Sequence, residues 1–189
     1  GTCNRREEAR AATSAAKPIL LQLIVLVGLA TAAIGVAHGD GAAPSDCGAD
    51  LLLGLLSPKE LVRQETAARI VRDRSAAIER LQQIVRECAY SAEKHASAVL
   101  AVRVLGKLRA TEAVPLLVEN LTMPDRLGII AESPHEPEEA HPGVGALIDI
   151  GVPAVLPTVG RVAQTGDPED VVLGAIVINR ILGTELALC

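Results

Sequence analysis

From residue 57 onward, apolar residues recur every three to four positions, which is the period of one face of an α-helix. No long run of alternating apolar and polar positions appears, so the pattern does not favour strands. The pattern predicts seven helices, over residues 58–73, 76–89, 92–108, 112–122, 143–150, 153–164 and 168–183. The sequence therefore predicts an all-α domain over 57–189, interrupted by an insertion at 123–141.

Local signals mark where several of these helices begin and end. Side chains that accept a hydrogen bond from the first turn are predicted caps, and glycines that adopt a left-handed conformation are predicted stops. The predicted caps are Ser57, Ser91 and Asp167. The predicted stops are Gly106, Gly151 and Gly183. Ser57 is followed by a proline and, three residues on, by Glu60, which is a capping box.

Each predicted helix carries an apolar stripe that we expect to face the core. The stripe of the helix over 92–108 is broad, which implies neighbours on two sides. In the first helix the stripe comprises Leu61, Ala68, Ile70 and Val71. In the last two helices it comprises Val155, Val159, Val162 and Ala163, and then Val171, Ala175, Ile178 and Leu182.

The N-terminal part of the chain has a different pattern, because residues 18–39 include no charged residue. About 20 apolar residues are needed to span a bilayer, so the length leaves open a signal peptide within 1–37 or an uncleaved anchor that associates with a membrane through 18–37. A core helix is the third alternative, which is disfavoured because the apolar residues cover every face of the segment. Residues 38–56 are predicted to be a linker. The basic residues that precede the segment are Arg5, Arg6, Arg10 and Lys17. By the positive-inside rule, these residues predict that the helical domain over 57–189 lies outside the cytoplasm, either membrane-anchored or secreted.

Two stretches carry a resemblance to a known family. Residues 98–108 (AVLAVRVLGKL) are followed by 112–117 (EAVPLL), and residues 146–151 (ALIDIG) by 153–157 (PAVLP). These resemble bacterial HEAT repeats of the phycobilin-lyase-like type. The resemblance implies a right-handed α-solenoid of antiparallel helix pairs that binds proteins on its concave surface. Together with the predicted export, it suggests a location in a bacterial cell envelope. No motif in this sequence carries over the bilin-handling role of some relatives. Because the sequence stops one turn into a second helix, we expect it to be a fragment of a longer solenoid.

Charge is distributed unevenly along the chain. Residues 59–109 hold 11 Lys/Arg and 6 Asp/Glu, a balance of +5, whereas residues 110–189 hold 3 and 12, a balance of −9. Two pairs of cations at helical spacing are predicted to form a basic partner-binding face, namely Arg69, Arg72, Arg103 and Lys107. The face would bind carboxylates or anionic lipid headgroups; alternatively, its cations pair locally. A net charge of −5 and a single aromatic residue disfavour nucleic acid as a partner.

The densest group of potential ligands lies in the insertion, at residues 132–141. Its histidines and carboxylates are Glu132, His135, Glu136, Glu138, Glu139 and His141. These groups could ligate a divalent metal, but interspersed prolines argue against a preorganised helical site. With no catalytic motif elsewhere, the sequence predicts no catalytic residue, no metal and no cofactor. It predicts a non-catalytic protein-binding scaffold; the alternative is a lyase-like or metal-dependent enzyme that uses this loop.

The four cysteines lack the paired spacing of a zinc site. Cys47 and Cys88 either form a disulfide or remain thiols, and Cys88 falls on the apolar face of its predicted helix. Asn120 begins a glycosylation sequon, Asn-Leu-Thr, at a predicted helix end. Neither feature points to a particular activity.

Overall fold

The described residues of the computed structural model, 49–91, 93–125 and 136–187, form helices and no strand. The α-helices are α1 (Ala49–Leu55), α2 (Glu60–Arg72), α3 (Arg74–Cys88), α4 (His95–Lys107), α5 (Val114–Glu119), α6 (Pro137–Ala140), α7 (Pro142–Ile150), α8 (Val155–Gln164) and α9 (Pro168–Ala187). Single turns of 3-10 helix, Thr111–Ala113 and Val152–Ala154, lead into α5 and α8. The all-helical prediction is confirmed for these residues.

The chain divides into two compact units, and the boundary falls within α3, between Ala77 and Ile78. All seven predicted helices are present, with ends that differ by a few residues. Helix α1 occupies the end of the predicted linker, because Leu52 and Leu55 are buried. The predicted segment 1–37 and residues 38–48 lie outside the described residues.

In the first unit, α1 packs on α2 at a glycine. A Cβ atom on Gly54 would lie 2.3 Å from the hydroxyl oxygen of Thr66, so the Thr66 side chain packs directly against Gly54. Ile70 is fully buried, whereas Leu61 is 67% exposed. The prediction that Leu61 faces the core was wrong, because it precedes Ile70 by about two and a half helical turns and lies on the opposite side of α2.

In the second unit, α4 and α7 pack against each other at Gly106 and Ala146. A Cβ atom on Gly106 would lie 2.6 Å from the Cα atom of Ala146. The broad apolar face predicted for α4 is buried, at Val99, Leu100, Val102, Val104, Leu105 and Leu108. Gly106 was wrongly predicted as a stop: it lies within the helix, and the positive φ of 50° falls on Arg109.

Among the other predicted caps and stops, Asp167 and Gly151 are confirmed. The backbone N–H of Glu169 donates to the Asp167 carboxylate over 2.9 Å, and Gly151 ends α7 with a φ of 83°. Ser57 accepts the N–H of Lys59 over 3.2 Å, but the helix starts at Glu60, two residues later than predicted. The Ser91 prediction was wrong, because the next helix starts at His95 and the Ser91 N–H instead closes the end of α3 on the Cys88 carbonyl. The remaining stop, Gly183, was also wrong, because α9 continues to Ala187.

Helices α8 and α9 form the last packed pair of the second unit. They meet at Gly174, where a Cβ atom would lie 2.3 Å from a methyl group of Val162. Several residues that were predicted to face the core are exposed in this pair. They are Val159, Ala163, Val171, Ala175 and Leu182. Those predictions were wrong, because α5, α7 and the α8–α9 contact bury only one side of each helix.

Among the described residues, no single helix combines the length and the apolar character that a membrane crossing requires. Two consecutive helical segments, Pro142–Ile150 and Val152–Gln164, together have the length and composition that a membrane span requires, but the chain bends by 120° between them.

Candidate functional site

Two residues of the predicted basic face, Arg69 and Arg72, lie at the end of α2 in the first unit. Arg69 forms an exposed ion pair with Asp50 of α1 over 3.4 Å. Arg72 is exposed and makes no ion pair within the described part of the chain. Near the start of the same helix, Glu60 accepts hydrogen bonds from Gln64 and Arg63. Both lower the pKa of Glu60, and the bond from Gln64 has the larger effect. An exposed ion pair such as Arg69–Asp50 contributes little to stability, so Arg69 stays accessible to a competing anion.

The other two residues, Arg103 and Lys107, lie one turn apart on α4 in the second unit. Arg103 pairs with Asp125, whose side chain is only 5% exposed. Lys107 pairs with Asp149 of α7 over 2.9 Å. Both cations are about one-third exposed and already hold a carboxylate of their own unit. They tie α4 to later parts of the chain, so both cations are paired within their own unit.

A third polar contact from α4 involves His95, which is buried. Its Nδ1 atom lies 2.8 Å from the carbonyl oxygen of Ala89, and its Nε2 atom lies 2.7 Å from that of Pro124. A cavity of about 150 Å³ lies beside the ring, between the end of α3 and residues 122–124. Because the ring nitrogens are engaged by backbone carbonyls, His95 joins the end of α3 to the start of the insertion.

The base of the insertion is held closed by contacts from both sides. The N–H of Asp125 donates to the Ala140 carbonyl over 2.7 Å. On the far side, Arg180 of α9 pairs with Glu138 over 3.0 Å and with Glu136 over 3.2 Å. The insertion therefore leaves and rejoins the helices at fixed points.

These contacts bear on the proposed metal site at 132–141. Glu136 and Glu138 are engaged by Arg180, and His141 Nε2 lies 3.8 Å from the Glu169 carboxylate. No group of three or more potential ligands is assembled among the described residues. Glu132 and His135 lie outside those residues.

An exposed apolar surface in the second unit lies on α8 and on the 3-10 turn that leads into it. Leu156 is 81% exposed, Val152 is 54% exposed and Val159 is 43% exposed. With the exposed Ala163, they recur at spacings of four, three and four residues, so they share one side of the helix. The opposite side is buried at Ala154 and Thr158.

Helix α9 carries a matching exposed stripe. Its members are Val171, Val172, Ala175, Asn179, Leu182 and Gly183. Half-buried Val162 on α8 and half-buried Ile178 on α9 lie between these stripes and the buried contact at Gly174. Each helix of the pair therefore carries an exposed apolar stripe in addition to the side that it buries. We call the exposed residues of the two stripes the apolar face.

The apolar face is free of charge over long stretches. No charged residue occurs between Ile150 and Gly160, or between Val171 and Asn179. Gly160 and Gly183 have open space where a Cβ atom would be, since no heavy atom lies within 4 Å. An uncharged, unobstructed face of this kind suits another apolar surface rather than a charged ligand.

The sequence identified much of this face but assigned it to the core. Val159, Ala163, Val171, Ala175 and Leu182 were all predicted as parts of inward stripes. Leu156 and Val172 were missed, because they lie at the edge of the period used to define those stripes. The helical period predicts that one side of a helix is apolar. Whether that side is buried depends on the helices that pack against α8 and α9.

Two further sequence features are placed by the structure. Cys88 is buried in α3, and Cys47 lies outside the described residues. Asn120 is buried, and its side-chain amide donates to the Leu116 carbonyl over 2.8 Å. A glycan could not be attached there without unfolding the end of α5.

No protein-family model, curated protein or solved structure matches this chain. The resemblance to HEAT repeats remains a prediction from the residues quoted above.

Proposed function

We propose that this protein is a non-catalytic protein-binding module built of HEAT-like helix pairs, and that it binds through the apolar face of α8 and α9. The observation that carries the proposal is the exposure of Leu156 at 81%, in line with exposed Val159 and Ala163 on one side of α8 and exposed Val152 in the turn that leads into it. Contiguous apolar surface of this kind on a folded domain commonly marks a protein interaction site.

The energetics favour a helical occupant. Covering apolar surface contributes about 25 cal/mol per Å², so a side chain as large as leucine contributes about 2 kcal/mol when it is fully removed from water. A helix laid along the exposed stripe of α8 would cover Leu156, Val159 and Ala163. Helix-in-groove binding uses anchors at this spacing.

The basic residues have a different part in this proposal. Arg103 and Lys107 hold Asp125 and Asp149, so a partner carboxylate would have to displace a partly buried pair. Arg69 and Arg72 are more accessible and remain the better candidates for a secondary, anionic contact. The right-handed solenoid arrangement stays part of the proposal, supported by the helix pairs and their short connections.

A location outside the cytoplasm is proposed on the sequence alone. Residues 18–39 are uncharged, and four basic residues precede them. This asymmetry favours presentation of the helical units on the extracytoplasmic side of a membrane, either anchored or secreted.

The test is recovery of a bound protein with the full chain expressed in its own host. Leu156→Glu should reduce the recovered partner at least about tenfold, since it places a charge in the middle of an apolar contact. Gln164→Glu is the matched control, because Gln164 is exposed on the same helix away from the stripe. Equal recovery with all three proteins would contradict binding through this face.

A further inference from the structure

Resting on the proposed function, we infer that the occupant of the exposed stripe of α8 is a basic amphipathic helix of another protein. Such a helix lays apolar side chains along the stripe and places lysine or arginine residues beside it. Three observations support this: the stripe itself is uncharged, the surrounding region is acidic, and the described cations of that region are already paired within the chain.

The stripe sets the size of the occupant. It runs from Val152 through Leu156 and Val159 to Ala163, which is about three turns of helix. Gly160, next to Val159, has open space where a Cβ atom would be, so a second helix can approach the stripe closely. A helix of similar length with apolar residues at matching spacing therefore covers the stripe from end to end.

The region around the stripe is acidic. Residues 110–189 carry a balance of −9, from 3 Lys/Arg and 12 Asp/Glu. Helix α5 packs against α8 and exposes Glu119, and the 3-10 turn that leads into α5 exposes Glu112. Neither α5 nor that turn contains a lysine or an arginine. Such a surface attracts a cationic partner and repels an anionic one.

The C-terminal end of the stripe is negative for a second reason. Helix α8 ends at Gln164, and the last carbonyl groups of a helix carry a partial negative charge. Shortly afterwards, exposed Asp167 caps the start of α9 with its carboxylate. A lysine or arginine of the occupant is therefore favoured beside Ala163, at this end of the stripe.

The cations of the same region are engaged by carboxylates of this chain. Arg161 contacts buried Asp170 over 2.6 Å, and Arg180 pairs with Glu136 and Glu138. Within the described parts of 110–189, these two arginines are the only cations of Lys or Arg type. An acidic partner would have to break one of these pairs to find a cation there, whereas a basic partner leaves them intact. The acidic balance also disfavours a second copy of this region and an anionic lipid surface, because like charges would meet.

The deciding experiment measures the binding of synthetic helical peptides to the full chain by fluorescence anisotropy. The probe is an alanine-rich peptide of about 14 residues, with leucines at the spacing of the α8 stripe and lysines on both sides of them. Its counterpart has glutamate at the lysine positions; both residues are good helix formers, so the two peptides differ mainly in charge. The lysine peptide should bind at least about tenfold more tightly at low salt, and the difference should shrink as the salt concentration rises to about 0.5 M.

Variants of the chain locate the apolar contact and the charge. Leu156→Gln should weaken binding of the lysine peptide at least about tenfold, because it removes the most exposed apolar side chain of the stripe. Glu119→Gln combined with Asp167→Asn, which keeps a capping side chain, should lower the preference for lysine at least about threefold. The control combines Glu65→Gln and Glu79→Gln, which remove the same charge from exposed positions of α2 and α3 and should leave the preference within about twofold.

Several outcomes would overturn the basic helix as occupant. They are a lysine peptide that binds no more tightly than the glutamate peptide, and a preference that the control variant lowers as much as the Glu119 and Asp167 variant does. A dimer of the chain alone that Leu156→Gln dissociates would assign the stripe to a second copy. Binding to neutral vesicles that Leu156→Gln abolishes would assign it to a lipid surface.

The basic helix and the proposed function fail in different ways. If the two peptides bind equally and Leu156→Gln weakens both, or if a recovered host protein depends on Leu156 but the lysine peptide does not bind, the face binds proteins and only the basic helix is wrong. If no peptide binds and no recovered protein depends on Leu156, both are wrong.

Discussion

The contact between α4 and α7 and the apolar face of α8 and α9 are built from the same residue types but differ in coverage. Leu147 of α7 is fully buried, whereas Leu156 of α8 is 81% exposed. Gly106 accommodates Ala146, whereas Gly183 faces open space. An apolar stripe on a helix therefore marks a surface that is suited to burial. The element that buries it need not belong to the described residues.

The largest expected effect separates the two leucines. Leu147→Ala should lower the free energy of unfolding by about 3 kcal/mol, because it leaves a cavity in a closed core. Leu156→Ala should change the same quantity by less than about 0.5 kcal/mol in the dissociated chain, because the side chain is already in water. Urea unfolding followed by circular dichroism measures both, and similar losses would show that the face is covered within one chain.

The next comparison uses glycines. Gly106→Ala should destabilise the fold by about 2 kcal/mol, since the added methyl group must push α4 and α7 apart. Gly160→Ala, in the middle of α8 with open space beside it, should stabilise by up to about 1 kcal/mol through helix propensity. Urea unfolding measures the change in stability for both variants. A neutral Gly106→Ala would mean that α4 and α7 are not packed this closely.

The smallest of these effects concerns polar residues. His95→Leu should cost about 1 to 2 kcal/mol, because the carbonyls of Ala89 and Pro124 lose the ring nitrogens that contact them. Asn179→Leu should leave the unfolding free energy within about 0.5 kcal/mol of the unmodified chain, because Asn179 is exposed in a single chain. An unaffected His95→Leu would show that His95 does not anchor the insertion.

The predicted basic face illustrates what local patterns omit. The spacing of Arg103 and Lys107 correctly places them on one side of α4. Their partners, Asp125 and Asp149, come 22 and 42 residues later in the chain. Nothing in the sequence near α4 indicates that these carboxylates return to it, so the pairs could only be found in the folded structure.

The sequence by itself determined the helical class, the approximate positions of all the described helices except α1 and α6, the place of the insertion and the existence of an apolar stripe on α8 and α9. Periodicity, capping by Asp167 and the stop at Gly151 are local properties, so they can be read from neighbouring residues. The tertiary structure alone decided which stripes are covered, which glycine is confined and which cations are paired. Burial and ion pairing depend on residues that are distant in sequence and adjacent only after folding.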